Sequence, residues 1–212
     1  YVPSLGDSLA LCEALAFATK KISFGTSIMP LYFRQAIDFA STVSFIHEIS
    51  NGRFRFGVGV SHGPMLDSRG IVSGKPLSDT RKFVEELRQA PRVGELPPII
   101  LATLRKKMIA LAEEIGQGMV FANGARSHMQ DSLSVISDDA IADDNFFIGN
   151  MIPTCISDDL TAAKAVNRKT LTSYAYLANY RNYWKEAGYV EEMEGVEKCL
   201  SDGDMERVPY FL

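Results

Sequence analysis

Short apolar runs alternate along this chain with segments whose apolar residues recur at helical spacing, four times in succession. That alternation requires parallel strands joined by helical crossovers, because a parallel partner is reached only through a connection long enough to bring the chain back. Strands are predicted at ISFGTSIMP (22–30), RFRFGVGV (53–60), PPIILAT (97–103), GMVFAN (118–123) and NFFIGNMIPTCI (145–156). They are apolar almost throughout, as burial on both faces demands. Helices are predicted between them. One opens on Asp7 as an N-capping residue, and one over 34–49 carries Ile37, Ala40, Val43, Ile46 and Ile49 on one face, with Gly52 as its stop. Two more are expected over 79–89 and in LRKKMIALAEEIG (104–116). A polar, acidic insertion over 127–144 precedes the fifth strand. From 156 the chain reads as a mostly helical C-terminal segment of one domain spanning 1–212, with an aromatic cluster of Tyr174, Tyr176, Tyr180, Tyr183 and Trp184. A β/α barrel and an open doubly wound sheet both satisfy this order.

The first two strands share an oddity. ISFGTSIMP and RFRFGVGVSHGP begin with Ile, Phe and Val and then turn to small residues: Gly25, Thr26 and Ser27 in one, Gly57, Gly59 and Ser61 in the other. In either architecture ligands bind at the carboxyl ends of the strands, which gathers residues 26–28, 60–62, 102–105 and 122–124 around one mouth. The small residues there have two readings. They leave room for a flat, rigid ligand against the backbone, or they relieve crowding between packed elements.

ATLRKKM joins the end of the third strand to a helix start, where unpaired N–H groups and the helix dipole attract an anion. Arg105, Lys106 and Lys107 oppose that dipole, so their presence calls for a compensating anion such as a phosphate, unless they form only a solvated charge run. His62 is the histidine placed in a strand-end loop, where an imidazole with an ordinary pKa near 6.5 donates a hydrogen bond or relays a proton. His47 falls on a helix and His128 in the loop after the fourth strand. No two of the three share metal-ligand spacing, so a metal is not expected.

A formal charge of −4 with no basic stripe argues against a nucleic-acid partner. No apolar run approaches the roughly 18 residues of a membrane span, and nothing resembles a secretory signal. The cysteines Cys12, Cys155 and Cys199 are odd in number and far apart, which fits no disulfide framework and makes a cytoplasmic home the expectation.

Three stretches, ATKKISFGTSIMPLY, IHEISNGRFRFGVGVSHG and PPIILATLRKKMIALAEEIGQGMVF, resemble in order and spacing the luciferase-like flavin monooxygenase family, which includes bacterial luciferase and the deazaflavin F420-dependent reductases. SNGRFRFGVG after a helix is the most specific of the matching pieces. The resemblance covers about residues 7–125 and implies an α/β fold of the TIM-type (β/α) barrel, incomplete in this segment. The family's first two strands would precede Tyr1 and its closing strand would follow Leu212, so the chain is expected to be part of a longer protein or a reduced relative. The implied cofactor is FMN or F420. In the family the strand matching ISFGTSIMP carries a bulge with a non-proline cis peptide behind the isoalloxazine ring, which falls here on Ser27–Ile28.

Carried across residue by residue, the implied cofactor contacts are Thr26, Ser27, Ile28, Gly59, Val60 and Ser61, with Thr103, Leu104, Arg105 and Lys106 at the phosphate. Leu104 and Arg105 stand where glycine is common in the family. His62 stands near a position where some F420-dependent members use an acidic proton donor, and it is the expected catalytic residue. The implied function is an oxidoreductase or monooxygenase that uses the reduced cofactor for hydride transfer or oxygen activation on a small organic substrate, with the loop over 61–78 gating access. The alternative is a shortened fold that binds flavin without turnover. Homodimerisation is common among such relatives, so a homodimer is a possible partner state that no stripe in this sequence proves, and neither nucleic acid nor membrane is expected as a partner.

Overall fold

The computed structural model describes residues 7–212; the chain start at Tyr1 and the first residues of the 1–212 span lie outside the described residues. In chain order the elements are α1 (Ser8–Ala18), β1 (Phe24–Gly25), β2 (Met29–Pro30), a 3-10 turn (Leu31–Phe33), α2 (Ala36–Ile49), β3 (Phe54–Gly59), α3 (Gly63–Asp67), α4 (Pro76–Arg88), β4 (Ile99–Thr103), α5 (Lys106–Ile115) and β5 (Gly118–Ala122). They continue with α6 (Met129–Leu133), α7 (Asp138–Ala142), β6 (Phe147–Met151), α8 (Leu160–Ala175), α9 (Ala178–Glu186) and α10 (Val190–Asp202). The strands form one sheet in the order β1-β3-β4-β5-β6, with β2 also paired to β3. Pairing of β3 with β1, β2 and β4 is parallel, as the alternation requires. The fold is therefore α/β with an incomplete barrel sheet.

Two expectations change in detail. ISFGTSIMP is not one continuous strand but two short pieces, β1 and β2, separated by residues 26–28. The stretch expected as a loop over 61–78 carries the short helix α3 and the first turn of α4.

The chain forms two compact units. The first runs up to Val120 and includes Ile136–Gly149; the second comprises Phe121–Val135 and Asn150–Leu212. In the first, alternate residues of β3 (Phe54, Phe56 and Val58) are fully buried on one face, and Phe39 of α2 packs against Phe56 and Phe83 of α4 with ring centres 5.5 and 5.6 Å apart. Parallel register puts Ile99 and Leu101 of β4 beside Phe56 and Val58, and both are buried, which continues this helix-facing layer. The opposite face of β3 carries Arg55, Gly57 and Gly59, and the Arg55 guanidinium lies 5.4 Å from the ring of Phe147 in β6.

In the second unit Tyr180 stacks edge-on to Tyr174 at 4.8 Å and lies 5.7 Å from Trp184. The Trp184 indole N–H donates to the carbonyl of Asn123, and the Tyr183 hydroxyl accepts the Ala125 N–H. Tyr176, expected in this cluster, is 43% exposed and stands outside it.

Arg53 ties the start of the sheet to two helix ends. Its Nε donates to Ser50 O, Nη1 to Thr19 Oγ1 and Ile22 O, and Nη2 to Ala16 O and Thr19 O, at 2.7 to 3.0 Å. The guanidinium also lies 5.3 Å from the ring of Phe24. The carbonyls of Ala16, Thr19 and Ser50 are among those that helix termini leave without partners, and only a planar fork serves so many groups at once. Replacing Arg53 by Ala is expected to lower the unfolding free energy by about 3 kcal/mol in urea titrations. Lys at this position should recover less than half of that loss.

Candidate functional site

The register of β3 with its two partners locates a bulge. In β1, Phe24 faces Phe54 and Gly25 faces Arg55; in β2, Met29 faces Val58 and Pro30 faces Gly59. Three residues, Thr26, Ser27 and Ile28, therefore stand opposite two, Phe56 and Gly57. One residue is extra, which defines a β-bulge. The Ser27–Ile28 peptide is cis, at the position the family resemblance implied.

The ladder is repaired by a side chain. Phe24 N donates to Arg53 O and Thr26 N to Arg55 O. At the next rung the hydroxyl of Thr26 donates to Gly57 O at 2.7 Å, which adds a side-chain bond across the bulge. Thr26 is thus engaged by the sheet itself.

The glycines answer mainly to the protein's own atoms. A Cβ on Gly57 would overlap the carbonyl of Thr26, and one on Gly25 would overlap the carbonyl of Arg55. A Cβ on Gly59 would lie 2.6 Å from the Ala102 Cβ and 3.4 Å from the Ile28 side chain. Packing of the protein itself is therefore sufficient to require glycine at all three. Gly25 and Gly57 let two backbones close on each other, and Gly59 lets Ile28 and Ala102 meet above it. The surface presented at these strand ends is a small apolar shelf made by Ile28 and Ala102, both half-buried.

Beyond the shelf, β3 ends in an unusual conformation. Val60 is half-buried, and Ser61 takes the left-handed region at φ 64°. A residue with a Cβ is disfavoured there by about 1–2 kcal/mol. His62 follows, half-buried, and its carbonyl accepts the N–H groups of Met65 and Leu66 to start α3. Burial lowers the His62 pKa from its ordinary value, so the ring is neutral at pH 7. A neutral imidazole offers one N–H donor and one acceptor nitrogen, which suits hydrogen bonding and proton uptake.

The end of β4 lies beside that of β3. Thr103 is only 5% exposed, and its hydroxyl has no hydrogen-bond partner. Leu104 is half-buried. Arg105, exposed, is the N-cap residue of α5 but makes no side-chain capping bond, and Lys106 opens the helix with no acid in its first turn. An uncapped, dipole-positive helix end flanked by cations and an unsatisfied buried hydroxyl has the donor set of an anion site.

Of the predicted residues, the structure brings Thr26, Ile28, Gly57, Gly59 and Ala102 into direct contact. It places 60–62 and 103–106 at the ends of the two adjacent strands. Ser27 is exposed on the bulge. Residues 122–124, also expected at this mouth, straddle the end of β5 within the second unit, where Asn150 pairs with both backbone groups of Gly124. Sequence reasoning missed the Thr26 hydroxyl as a ladder substitute and the left-handed Ser61; neither has a composition signal. A groove of about 640 Å³ walled by Tyr32, Ile37, Asp79, Lys82 and Glu86 contains none of the strand-end residues, so size alone does not find the site.

Comparison with known proteins points the same way. Residues 2–92 match the family described as "Luciferase-like monooxygenase". The chain is 27% identical over 135 residues to the 5,10-methylenetetrahydromethanopterin reductase of Methanolobus tindarius, covering 54% of this chain and 41% of that protein. It spans well under half the length of this curated relative. Among solved structures it resembles the coenzyme F420-dependent tetrahydromethanopterin reductase of Methanopyrus kandleri, with a TM-score of 0.75 and 15% identity over 98% of this chain and 72% of the other. It also resembles the oxygenating constituent of 3,6-diketocamphane monooxygenase from Pseudomonas putida in complex with FMN, with a TM-score of 0.58 and 16% identity over 86% and 62% of the two chains.

Two expected outcomes follow from this geometry. Gly57→Ala should cost about 3 kcal/mol, because backbone rather than a movable side chain blocks the added methyl. Thr26→Val should cost about 1 kcal/mol by removing the hydroxyl's bond to the Gly57 carbonyl, while Thr26→Ser stays within about 0.5 kcal/mol in chemical denaturation. His62 supplies the pH dependence. Its folded pKa is depressed, so the unfolded chain takes up the proton first. Its contribution is fully present above about pH 6.5 and is lost as pH falls through the lower folded value. Subtracting the stability–pH curve of His62→Asn from that of the parent should isolate a slope confined to that window.

Proposed function

We propose that this chain is a member of the luciferase-like family and forms the cofactor-holding part of an oxidoreductase that works with reduced FMN or F420 on a small organic substrate. The observation that carries the reading is the bulge over Thr26, Ser27 and Ile28, packed on Gly57 and Gly59 so that Ile28 and Ala102 form a shelf at adjacent strand ends. The reductase relative and the two structural neighbours support it.

The residues present fit such a cofactor. A planar ring suits the Ile28–Ala102 shelf, with Ser27, Val60 and Ser61 at its margin. An anionic tail suits the uncapped start of α5, where Thr103 has a buried hydroxyl to offer and Leu104, Arg105 and Lys106 line the approach. When bound, either cofactor supplies hydride transfer or oxygen activation.

The chain's own residues do the rest. The bulge holds Ile28 at a fixed height above β3 through the Thr26–Gly57 bond. Arg105 and Lys106 offset negative charge at the helix end. His62, neutral at pH 7, holds a hydrogen bond through one ring nitrogen and takes up or passes on a proton at the other. The segment that follows it excludes water from the shelf.

Thr103 separates stability from function. Its buried hydroxyl is unsatisfied in the protein alone, so Thr103→Val should raise stability by about 1 kcal/mol. The same change should weaken cofactor binding roughly tenfold, because one hydrogen bond to a charged oxygen is lost. The test is titration of the complete protein with FMN and with F420, followed by absorbance and fluorescence. Binding of one of them, weakened by Thr103→Val and by Lys106→Glu, is the expected result. No binding of either would overturn the reading.

A further inference from the structure

Among the described residues, two contacts of the segment that carries His62 from β3 to α4 converge on one short turn. Leu66 of α3 is 2% exposed and serves as an apolar anchor. Otherwise the segment is open: Met65 is 47% and Val72 92% exposed, and added Cβ atoms at Gly63 and Gly70 would meet nothing. Gly70 is left-handed at φ 65°, a natural swivel.

The two polar fastenings both end on the 3-10 turn Leu31–Phe33, which leaves β2 directly after the bulge. The Arg69 guanidinium lies 4.4 Å from the ring centre of Phe33. Farther along, the Tyr32 hydroxyl donates to Asp79 Oδ2 at 2.7 Å, and the backbone at Gly74 lies against the same carboxylate. A Cβ on Gly74 would run into the Asp79 carboxylate, so glycine is needed for the backbone to reach this knot. Burial, with the bond to Asp79, pushes the Tyr32 pKa up to about 12, so the phenol remains a donor throughout the ordinary pH range.

We propose that Tyr32 and Phe33 are positioning residues that clasp the His62-bearing segment, through Asp79–Gly74 and Arg69 respectively, onto the same turn that follows the Ser27–Ile28 bulge. The inference rests on the reading of the bulge and His62 as one site, because it supplies the link that keeps them in register. Both fastenings are reversible and reach the surface. Release leaves Leu66 in place and lets the chain swing at Gly63 and Gly70. The clasp therefore governs access to the shelf and the placement of the imidazole without entering the chemistry itself.

Hydrogen–deuterium exchange of the complete protein tests the clasp without any cofactor. Tyr32→Phe and Arg69→Gln should each raise amide exchange across residues 63–74 about fivefold, which is what loss of one ordinary hydrogen bond or exposed ring contact produces. The double variant should exceed either, while exchange in β3 and β4 and the thermal midpoint stay unchanged. Asp79→Asn, which keeps an acceptor for the phenol, should restore most of the protection that Asp79→Ala removes. Unaltered exchange in both single variants would overturn the proposal, as would an increase spread evenly over the whole first unit. With FMN or F420 present, the variants should release the cofactor several-fold faster. If neither cofactor binds, the functional reading fails while the exchange result still decides the clasp.

Discussion

Everything at the candidate site depends on how closely the backbones of β1 and β3 approach. At Gly25 and Gly57 the facing carbonyls occupy the volume a side chain would need. Only that approach lets an extra residue be folded into the first strand while the Thr26 hydroxyl still reaches Gly57 O. With any Cβ at position 57, the strands would separate and the rung would open. Ile28 would then lose its seat above Gly59. The bulge is thus held by absence of bulk on one strand and by one hydroxyl on the other, and the shelf is its consequence.

Much of this order was legible in the sequence because it arises from strong, local rules. Alternating strand and helix patterns dictate parallel pairing, and fully buried Phe54, Phe56 and Val58 sit where period two puts them. The helix stop at SNG and the glycine-punctuated strand after it marked the end of α2 and the start of β3 within a residue or two. Arg53, in the same stretch, looked like a strand residue. Its five hydrogen bonds go to groups 3 to 37 positions away, which no local pattern reveals.

What the sequence could not disclose was which neighbour each small residue serves. Glycine at a strand end admits a ligand, a turn or a second backbone equally well, and composition is the same in each case. Gly57 proved to face a carbonyl and Gly59 a pair of side chains. The Thr26 hydroxyl, equally, reads as a ligand group until its partner 31 positions away is known. ISFGTSIMP was read as one strand because its hydrophobicity is continuous, whereas a bulge changes register without changing hydrophobicity. Tyr32 and Asp79 offered no signal either, since their link joins a strand exit to a helix start across 47 positions.

The case for a functional site is strongest where the chain departs from its own consistency. Elsewhere in the first unit the departures are scattered: Phe17 of α1 and Phe45 of α2 are exposed, and Thr80 also buries a hydroxyl without a partner, while Asp7 caps α1 through Leu9 N. At the ends of β3 and β4 three unfavourable choices occur within adjacent strands. Ser61 adopts a conformation suited to glycine, His62 carries an imidazole where burial penalises its charged form, and Thr103 buries a hydroxyl with no partner. Ser61 and Thr103 lower stability at any pH and His62 does so in acid, and each would be relieved by a simple substitution to Gly, Val or Gln respectively. A fold that needed only to be stable would have no use for all three side by side. On the proposed reading, a bound, anionic, hydrogen-bonding ring system would give each of them a task, and their adjacency at two neighbouring strand ends is what that reading accounts for.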